Sequence, residues 1–279
     1  MQDLTPTRGE VLRRAAEHLA ARGSETPRLD AELLLAHALG LTRVELYTGF
    51  ERPLAEVEVS AYRELVRRRA RREPVAYILG EWGFRRLTLN VDRRALIPRP
   101  ETEIVVERCL ARLEGLESPA VLDVGTGSGA IALAIADEHP GARVVGIDAS
   151  EDALALARDN VERTGLTVEL RQRDVFAGLP AGPWHLVVSN PPYVTPEEIE
   201  TLMPDVRDWE PHEALVGRGV ADAVAHCSLD VLSPGGALVL EVGDGQAPEV
   251  VDLLERLGYR DVRATRDLTE RERVVEGTR

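Results

Sequence analysis

Asn190-Pro191-Pro192-Tyr193 follows directly on the apolar run Leu186-Val187-Val188-Ser189, which puts a rigid polar tetrapeptide at the end of what reads as a buried strand. Two successive prolines fix φ and remove two backbone donors, so the strand must stop there. The Asn190 side chain and the nearby carbonyls are left as acceptors suited to a planar NH2 group, and Tyr193 offers a flat face to a flat substrate group. Alone, the tetrapeptide reads equally well as a strand stop whose Asn caps a turn. The residues upstream bear on the choice. Ala120 to Val124 is another buried strand, and Asp123-Val124-Gly125-Thr126-Gly127-Ser128-Gly129 carries it through a glycine loop into the apolar helical run Ala130 to Ala136. The glycines fall as G-x-G-x-G, which is neither the dinucleotide fingerprint nor a phosphate loop ending in Gly-Lys-Ser/Thr. Gly125, Gly127 and Gly129 let the backbone pass close to a ligand, and the free N–H groups at a helix start hold a carboxylate as readily as a phosphate.

The next strand, Ala142 to Ile147, ends in Asp148, where a Rossmann-like unit sets an acid on ribose hydroxyls. A third, Val168 to Phe176, ends in Asp174 beside the aromatic Phe176, placing an acceptor for an adenine amino group. Either acid alone is as readily a helix N-cap. Three strand-end features in order point to one shared site.

These residues need a frame, and the pattern from Pro119 onward supplies it. Strands and helices alternate there, including a helix over Glu151 to Thr164, which gives an α/β sheet covered on both faces. Segments near Leu186 to Ser189, Ala237 to Val242, Tyr259 to Ala264 and Glu272 to Val275 bring the strands to seven. The first 75 or so residues lack strand alternation and read as a small all-α bundle. Thr7-x-x-Glu10 and Thr42-x-x-Glu45 are capping boxes, a helix from about Leu29 stops at Gly40, and Pro53 precedes a longer helix. Leu87 to Asp92 alternates and forms one arm of a hairpin between the two parts. The expected division is 1–77 helical, 78–97 a linker with the hairpin, and 98–279 the α/β domain.

A length of 279 residues suits about two domains of roughly 100 to 200 residues. The polar N-terminus and strand-length apolar runs predict neither a signal peptide nor a membrane span, and so a cytoplasmic protein. Cys109 and Cys227 have no metal spacing, the six histidines are scattered, and no metal site is expected. The chain has no lysine, which excludes a lysine nucleophile. A net charge of −14 argues against broad nucleic-acid binding. The arginines are uneven: Arg63, Arg67, Arg68, Arg69, Arg71 and Arg72 read as a solvated helix face. A second group, Arg85, Arg86, Arg93, Arg94 and Arg99, lies near the expected substrate entrance and would steer an acidic partner.

Over nearly its whole length the chain resembles the Rossmann-like S-adenosylmethionine methyltransferases, and most closely the HemK-type N5-glutamine methyltransferases that modify peptide chain release factors. The resemblance rests on Asp123 to Gly129, Asp148, Asp174 and Asn190 to Tyr193. Further matches are Gly83-Phe84, Leu96 to Glu103, Glu210-Pro211 with Ala214-Leu215, and Glu241-Val242-Gly243. It implies a class I methyltransferase domain, a seven-stranded mostly parallel sheet with the last strand antiparallel, behind a helical recognition domain. It implies S-adenosyl-L-methionine as cofactor, held by Asp123, Gly125, Thr126, Gly127, Gly129, Asp148, Asp174, Phe176 and Asn190. The substrate amide falls to Asn190, Pro191, Pro192 and Tyr193, with Phe84 and Arg99 at the pocket and Asn190, Pro191 and Tyr193 as the catalytic group. The partner implied is a release factor, met by a monomer without stable nucleic-acid binding. Pro98 to Glu103 sets the chain apart from similar enzymes that act on a ribosomal-protein glutamine. Glu270 stands where relatives tend to have glycine, which puts the local turn in question. Two other readings compete: methylation of an exocyclic amino group in DNA or RNA, where a related [DNS]-P-P-[YFW] motif serves, and a binding protein without catalysis.

Overall fold

The computed structural model describes residues 5–279, so the first four residues of the expected helical domain, with their polar start, lie outside the described residues. The chain forms two compact units, Met1–Gly80 with Met203–Trp209, and Glu81–Leu202 with Glu210–Arg279.

The first unit is helical. Helix α1 (Arg8–Ala21) opens on a capping box in which Thr7 Oγ1 accepts from Glu10 N at 3.3 Å and Glu10 Oε2 accepts from Thr7 N at 2.9 Å. Its inner face is Val11, Leu12, Ala15 and Leu19. Helix α2 (Pro27–Leu39) starts on proline and ends where Gly40 takes a left-handed φ of 62°. Helix α3 (Arg43–Thr48) repeats the capping box with Thr42 and Glu45. Helices α4 (Glu56–Ala70) and α5 (Val75–Leu79) follow, and the short α9 (Pro204–Arg207) joins this unit from far along the chain. The first arginine cluster departs from a solvated face. Arg63, Arg67 and Arg71 are exposed, but Arg69 is only 6 % exposed, held by Asp30 at 2.7 Å and Asp205 at 3.0 Å, and Arg72 pairs with Asp205 at 2.7 Å. A buried guanidinium needs such partners, and these come from α2 and α9, too distant in sequence for a helical pattern to reveal.

The second unit begins with a hairpin of β1 (Glu81–Phe84) and β2 (Leu87–Asn90), paired from Glu81↔Asn90 to Phe84↔Leu87. The remaining strands are β3 (Ala120–Val124), β4 (Arg143–Asp148), β5 (Val168–Gln172), β6 (Trp184–Ser189), β7 (Leu232–Glu241), β8 (Arg260–Arg266) and β9 (Glu272–Thr278). They form one sheet in the order β5-β4-β3-β6-β7-β9-β8, parallel except that β9 runs antiparallel to both neighbours. Between them lie α6 (Glu103–Leu113), α7 (Ala130–Glu138), α8 (Glu151–Thr164), α10 (His212–Leu215), α11 (Val220–Val231) and α12 (Ala247–Leu257).

Alternation along the central strands builds two apolar layers. Val121, Leu186 and Val188 face Cys109, Leu113, Leu133 and Ile135 from α6 and α7. Leu122, Val187 and Leu238 face Val224, Leu253 and Leu254 from α11 and α12. Both faces are thus buried, which is why β3 is apolar along its length save for Asp123. One strand end differs from the expectation. β5 stops at Gln172, not Phe176, because the Asp174 carboxylate accepts from Phe176 N at 2.9 Å and turns Val175–Ala177 into a 3-10 turn.

Candidate active site

Strands β4 and β5 extend the sheet on one side of β3, and β6 and β7 on the other, so the order reverses between β3 and β6. Ligands of open α/β sheets bind outside the C-terminal strand ends at such a point. Ser189 Oγ donates to Val124 O at 2.7 Å and ties these two ends together. A cavity of about 430 Å³ opens beside them, lined only by residues of the sheet unit. That volume is of small-molecule size.

The glycine loop is one wall. Gly125 and Gly127 take φ of 72° and 56°, which only glycine adopts without strain. Gly125 N and Thr126 N both donate to Ile147 O, at 2.8 and 2.9 Å, anchoring the loop to the end of β4. Asp148 Oδ2 accepts from Gly127 N and Oδ1 from Ser150 N, each at 2.9 Å, and each oxygen keeps a further lone pair for the cavity it lines. Burial pushes the Asp148 carboxyl up, against the pull of the Ser150 and Gly127 N–H groups. Asp174 and Phe176 line the cavity together, Phe176 being 64 % exposed.

Two residues expected to touch the cofactor stand behind this wall. Asp123 is fully buried and accepts from Thr126 Oγ1 at 2.6 Å, bracing the loop from beneath, and burial drives its carboxyl up to about 7. Gly129 starts α7 with a φ of 83° and packs on Leu133 and Ala157. Neither lines the cavity.

Asn190, Pro191 and Pro192 line the opposite wall. Asn190 Nδ2 donates to Thr102 Oγ1 at 3.3 Å, which leaves the carboxamide oxygen for a donor in the cavity. Tyr193 is not in the lining: its ring lies against Gly243, where a Cβ would stand 3.0 Å from Cδ2, and its carbonyl accepts from Gln246 Nε2 at 2.9 Å. Phe84 is a correction as well. It is 1 % exposed and packs in the core with Leu89, Val105 and Val106 instead of walling the pocket, because the hairpin register turns Phe84 and Leu89 inward. Arg99 lines the cavity, but its guanidinium pairs with the buried Glu210, whose other oxygen accepts from Ile97 N at 3.2 Å. Arg85 is likewise held by Glu138 at 2.7 Å and Arg94 by Asp92 at 2.7 Å. The second arginine group is therefore largely neutralised by its own acids, contrary to a free steering patch.

Three supporting residues had no role assigned from sequence. Thr102 lines the cavity and accepts from Asn190, Glu241 follows Leu240 beside Asn190 on the neighbouring strand, and Glu241 is detectable as the one charge ending the apolar run from Ala237. Asn160, on the apolar face of α8, joins the loop to the hairpin: Nδ2 donates to Ser128 O at 2.9 Å and Oδ1 accepts from Asn90 N at 2.6 Å.

Residues 10–80 match the PrmC N-terminal domain family, and residues 102–205 match the methyltransferase small domain family. A release factor glutamine methyltransferase from Geobacter sulfurreducens is 43% identical over 264 residues, covering 93% of this chain and 92% of the relative. This chain belongs to the release factor glutamine methyltransferase family. Its relative from Deinococcus radiodurans is 41% identical over 278 residues, covering 97% of this chain and 98% of its own. The solved 16S rRNA N2 G1207 methyltransferase of T. thermophilus, in complex with AdoMet and guanosine, shares the fold at a TM-score of 0.53 and 22% identity, over 71% of this chain and 50% of that one. The family's cofactor is S-adenosylmethionine, and the cavity suits it. A Cβ at Gly125 would meet no protein atom within 4 Å, Asp148 retains acceptor capacity, and Phe176 presents an open ring. No described helix is long and apolar enough to cross a membrane.

Proposed function

We propose that this chain transfers the methyl group of S-adenosylmethionine to the side-chain N5 nitrogen of the glutamine in the Gly-Gly-Gln loop of a peptide chain release factor. The observation that carries the reading is Asn190, which stands in the cavity wall with its NH2 occupied by Thr102 and its oxygen left for the substrate. An amide nitrogen is a poor nucleophile because its lone pair is delocalised. When bound, S-adenosylmethionine supplies a methyl group on a positively charged sulfur. As charge grows on the substrate nitrogen, Asn190 Oδ1 and the Pro191 carbonyl, both accepting from its N–H groups, bind more strongly than in the ground state. They also aim the nitrogen, and such positioning alone can be large. In this scheme Gly125, Gly127, Asp148, Asp174 and Phe176 hold the cofactor, while Pro192 shapes the substrate entrance.

The helical unit is assigned to recognition of the release factor, and the sheet unit, which begins at the hairpin, is the catalytic part. A glutamine enters such a cavity only from a slim, glycine-rich loop, which supports a Gly-Gly-Gln acceptor. The −14 charge is against a grip on nucleic acid, since base methylation needs a flipped base and a held backbone, and the chain is proposed to act as a cytoplasmic monomer.

Incubation with labelled cofactor, together with either purified release factor or nucleic acid, tests the assignment. Mass spectrometry should find the mass of one added methylene on the Gly-Gly-Gln glutamine. Label entering nucleic acid and not release factor would sink it. Asn190→Ala should keep cofactor affinity and lower single-turnover transfer by about 10² to 10³-fold, as removal of a preorganised transition-state partner does. Near-normal transfer by that variant would return Asn190 to a strand-capping role.

A further inference from the structure

The segment that carries Asn190 is held at both ends. At its start, Ser189 is paired with Leu240 on β7, and its hydroxyl donates to Val124 O at 2.7 Å. At its far end, the Tyr193 carbonyl accepts from Gln246 Nε2 at 2.9 Å. Gln246 stands at the N-cap of α12 and closes a turn on itself: Gly243 N donates to Gln246 Oε1 at 3.2 Å, and Gln246 N donates to Gly243 O at 3.1 Å. A backbone N–H can only donate and a backbone carbonyl can only accept, so the Gln246 carboxamide has one orientation, oxygen to Gly243 and NH2 to Tyr193. Directly after Tyr193, Val194 N donates to Leu215 O at 3.0 Å and Val194 bridges Val216. Beside that bridge, Gly217 lies against the Pro192 ring. A Cβ there would stand 2.4 Å from Pro192 Cγ, so only glycine fits.

This clamp bears on the reacting group through the peptide between the two prolines. That peptide is planar, so the Pro191 C=O shares a plane with Pro192 N, Cα and Cδ. Seating the Pro192 ring on Gly217 therefore sets the direction of the Pro191 carbonyl, one of the two acceptors assigned to the substrate amide. With φ fixed at both prolines, few torsions remain between Asn190 and Tyr193 to take up slack, and a hold on the Tyr193 carbonyl keeps the ring in its seat. We propose that Gln246 and Gly217 are positioning residues that aim the Pro191 carbonyl at the methyl-accepting amide, an inference that rests on the function proposed above. Neither lines the cavity, so both act through the segment they hold.

The test uses the full chain and intact release factor. Gln246→Glu keeps the length of the side chain and the acceptor for Gly243 N, but replaces the donor to Tyr193 O with a carboxylate oxygen, ionised at about pH 8. An acid at this N-cap also suits the helix dipole, so the melting temperature should hold or rise. Single-turnover methyl transfer should nevertheless fall roughly 10- to 100-fold, the scale of a reacting group misplaced by about an ångström. The loss should appear in the maximal rate, with the release-factor concentration for half of that rate and the cofactor dissociation constant unchanged. Gly217→Ala should lose transfer on the same scale. In the absence of any substrate, amide exchange at Val194 should quicken in Gln246→Glu, since the neighbouring carbonyl has lost its donor. A role confined to the α12 cap predicts instead a rate and an exchange like those of the unaltered protein, and either result overturns the positioning role. If Gly217→Ala fails to fold, Gln246→Glu decides. Absence of transfer by the unaltered protein overturns the functional assignment itself, and exchange at Val194 then reports on the clamp independently.

Discussion

Asp148 carries more than one duty, since its carboxylate holds Gly127 N and Ser150 N while lining the cavity. If it also takes the ribose hydroxyls, Asp148→Ala should cost roughly 1.5 to 3 kcal/mol of S-adenosylmethionine affinity, the scale of hydrogen bonds to a charged group. Calorimetric titration measures this, and an unchanged dissociation constant would remove Asp148 from the site. Residues of this kind were legible in the sequence because each ends an apolar run: Asp148 as the last residue of β4, and Asn190 after β6. Their supports were not. Thr102 reaches Asn190 across 88 positions, and no local spacing encodes such a contact. Phe84 was misplaced for a related reason: an aromatic side chain suits a pocket wall and a packed interior equally, and only the tertiary register decides which, while Tyr193, half-buried, turns toward Gly243.

At the scale of elements, the β8 to β9 turn answers the question raised by Glu270. The turn forms, with Glu270 N donating to Asp267 O at 3.0 Å and Asp267 N to Arg271 O at 2.8 Å, but Glu270 is held at a φ of 64°. A side chain there costs about 1 to 2 kcal/mol. Glycine relieves that cost and gives back roughly 0.4 to 1 kcal/mol through a freer unfolded chain, so Glu270→Gly should gain up to about 1.6 kcal/mol in a melting experiment. A loss of stability would show that the strain is not there. β9 also carries Glu276, fully buried and met by Arg108 at 2.8 Å, Arg112 at 3.2 Å and Arg263. Glu276→Ala should cost about 2 to 4 kcal/mol in urea unfolding, somewhat below a fully enclosed pair because the arginines still reach solvent. A cost within error of zero would make the cluster ornamental. Capping boxes and the Gly40 stop were legible because their rules span a few residues. The Glu276 cluster draws on α6, β8 and β9 and was not.

For the molecule as a whole, two sets of carboxyls pull stability in opposite directions with pH. Burial raises Asp123 and Glu241 to about 7. Each holds its proton more tightly folded than unfolded, so its contribution is full below about pH 4 and is lost as pH rises through about 7. Glu32 is the reverse: burial alone would raise it, but Tyr47, Arg43 and Arg28 outweigh that and bring it down to about 2, so its contribution is present above about pH 4 and lost in acid. Asp123→Asn should therefore flatten the decline in stability between about pH 5 and 7 while leaving the acid limb as it was. Urea midpoints across that range read it, and an unaltered slope would place the proton elsewhere. The strand order has a consequence in time. β9 is made after β8 yet inserts between β8 and β7, so on a translating ribosome β8 has no place in the sheet until residues 272–278 have emerged. Until then Leu238 and Leu240 on β7 present an unpaired edge, and a chain stalled within that interval is an aggregation hazard.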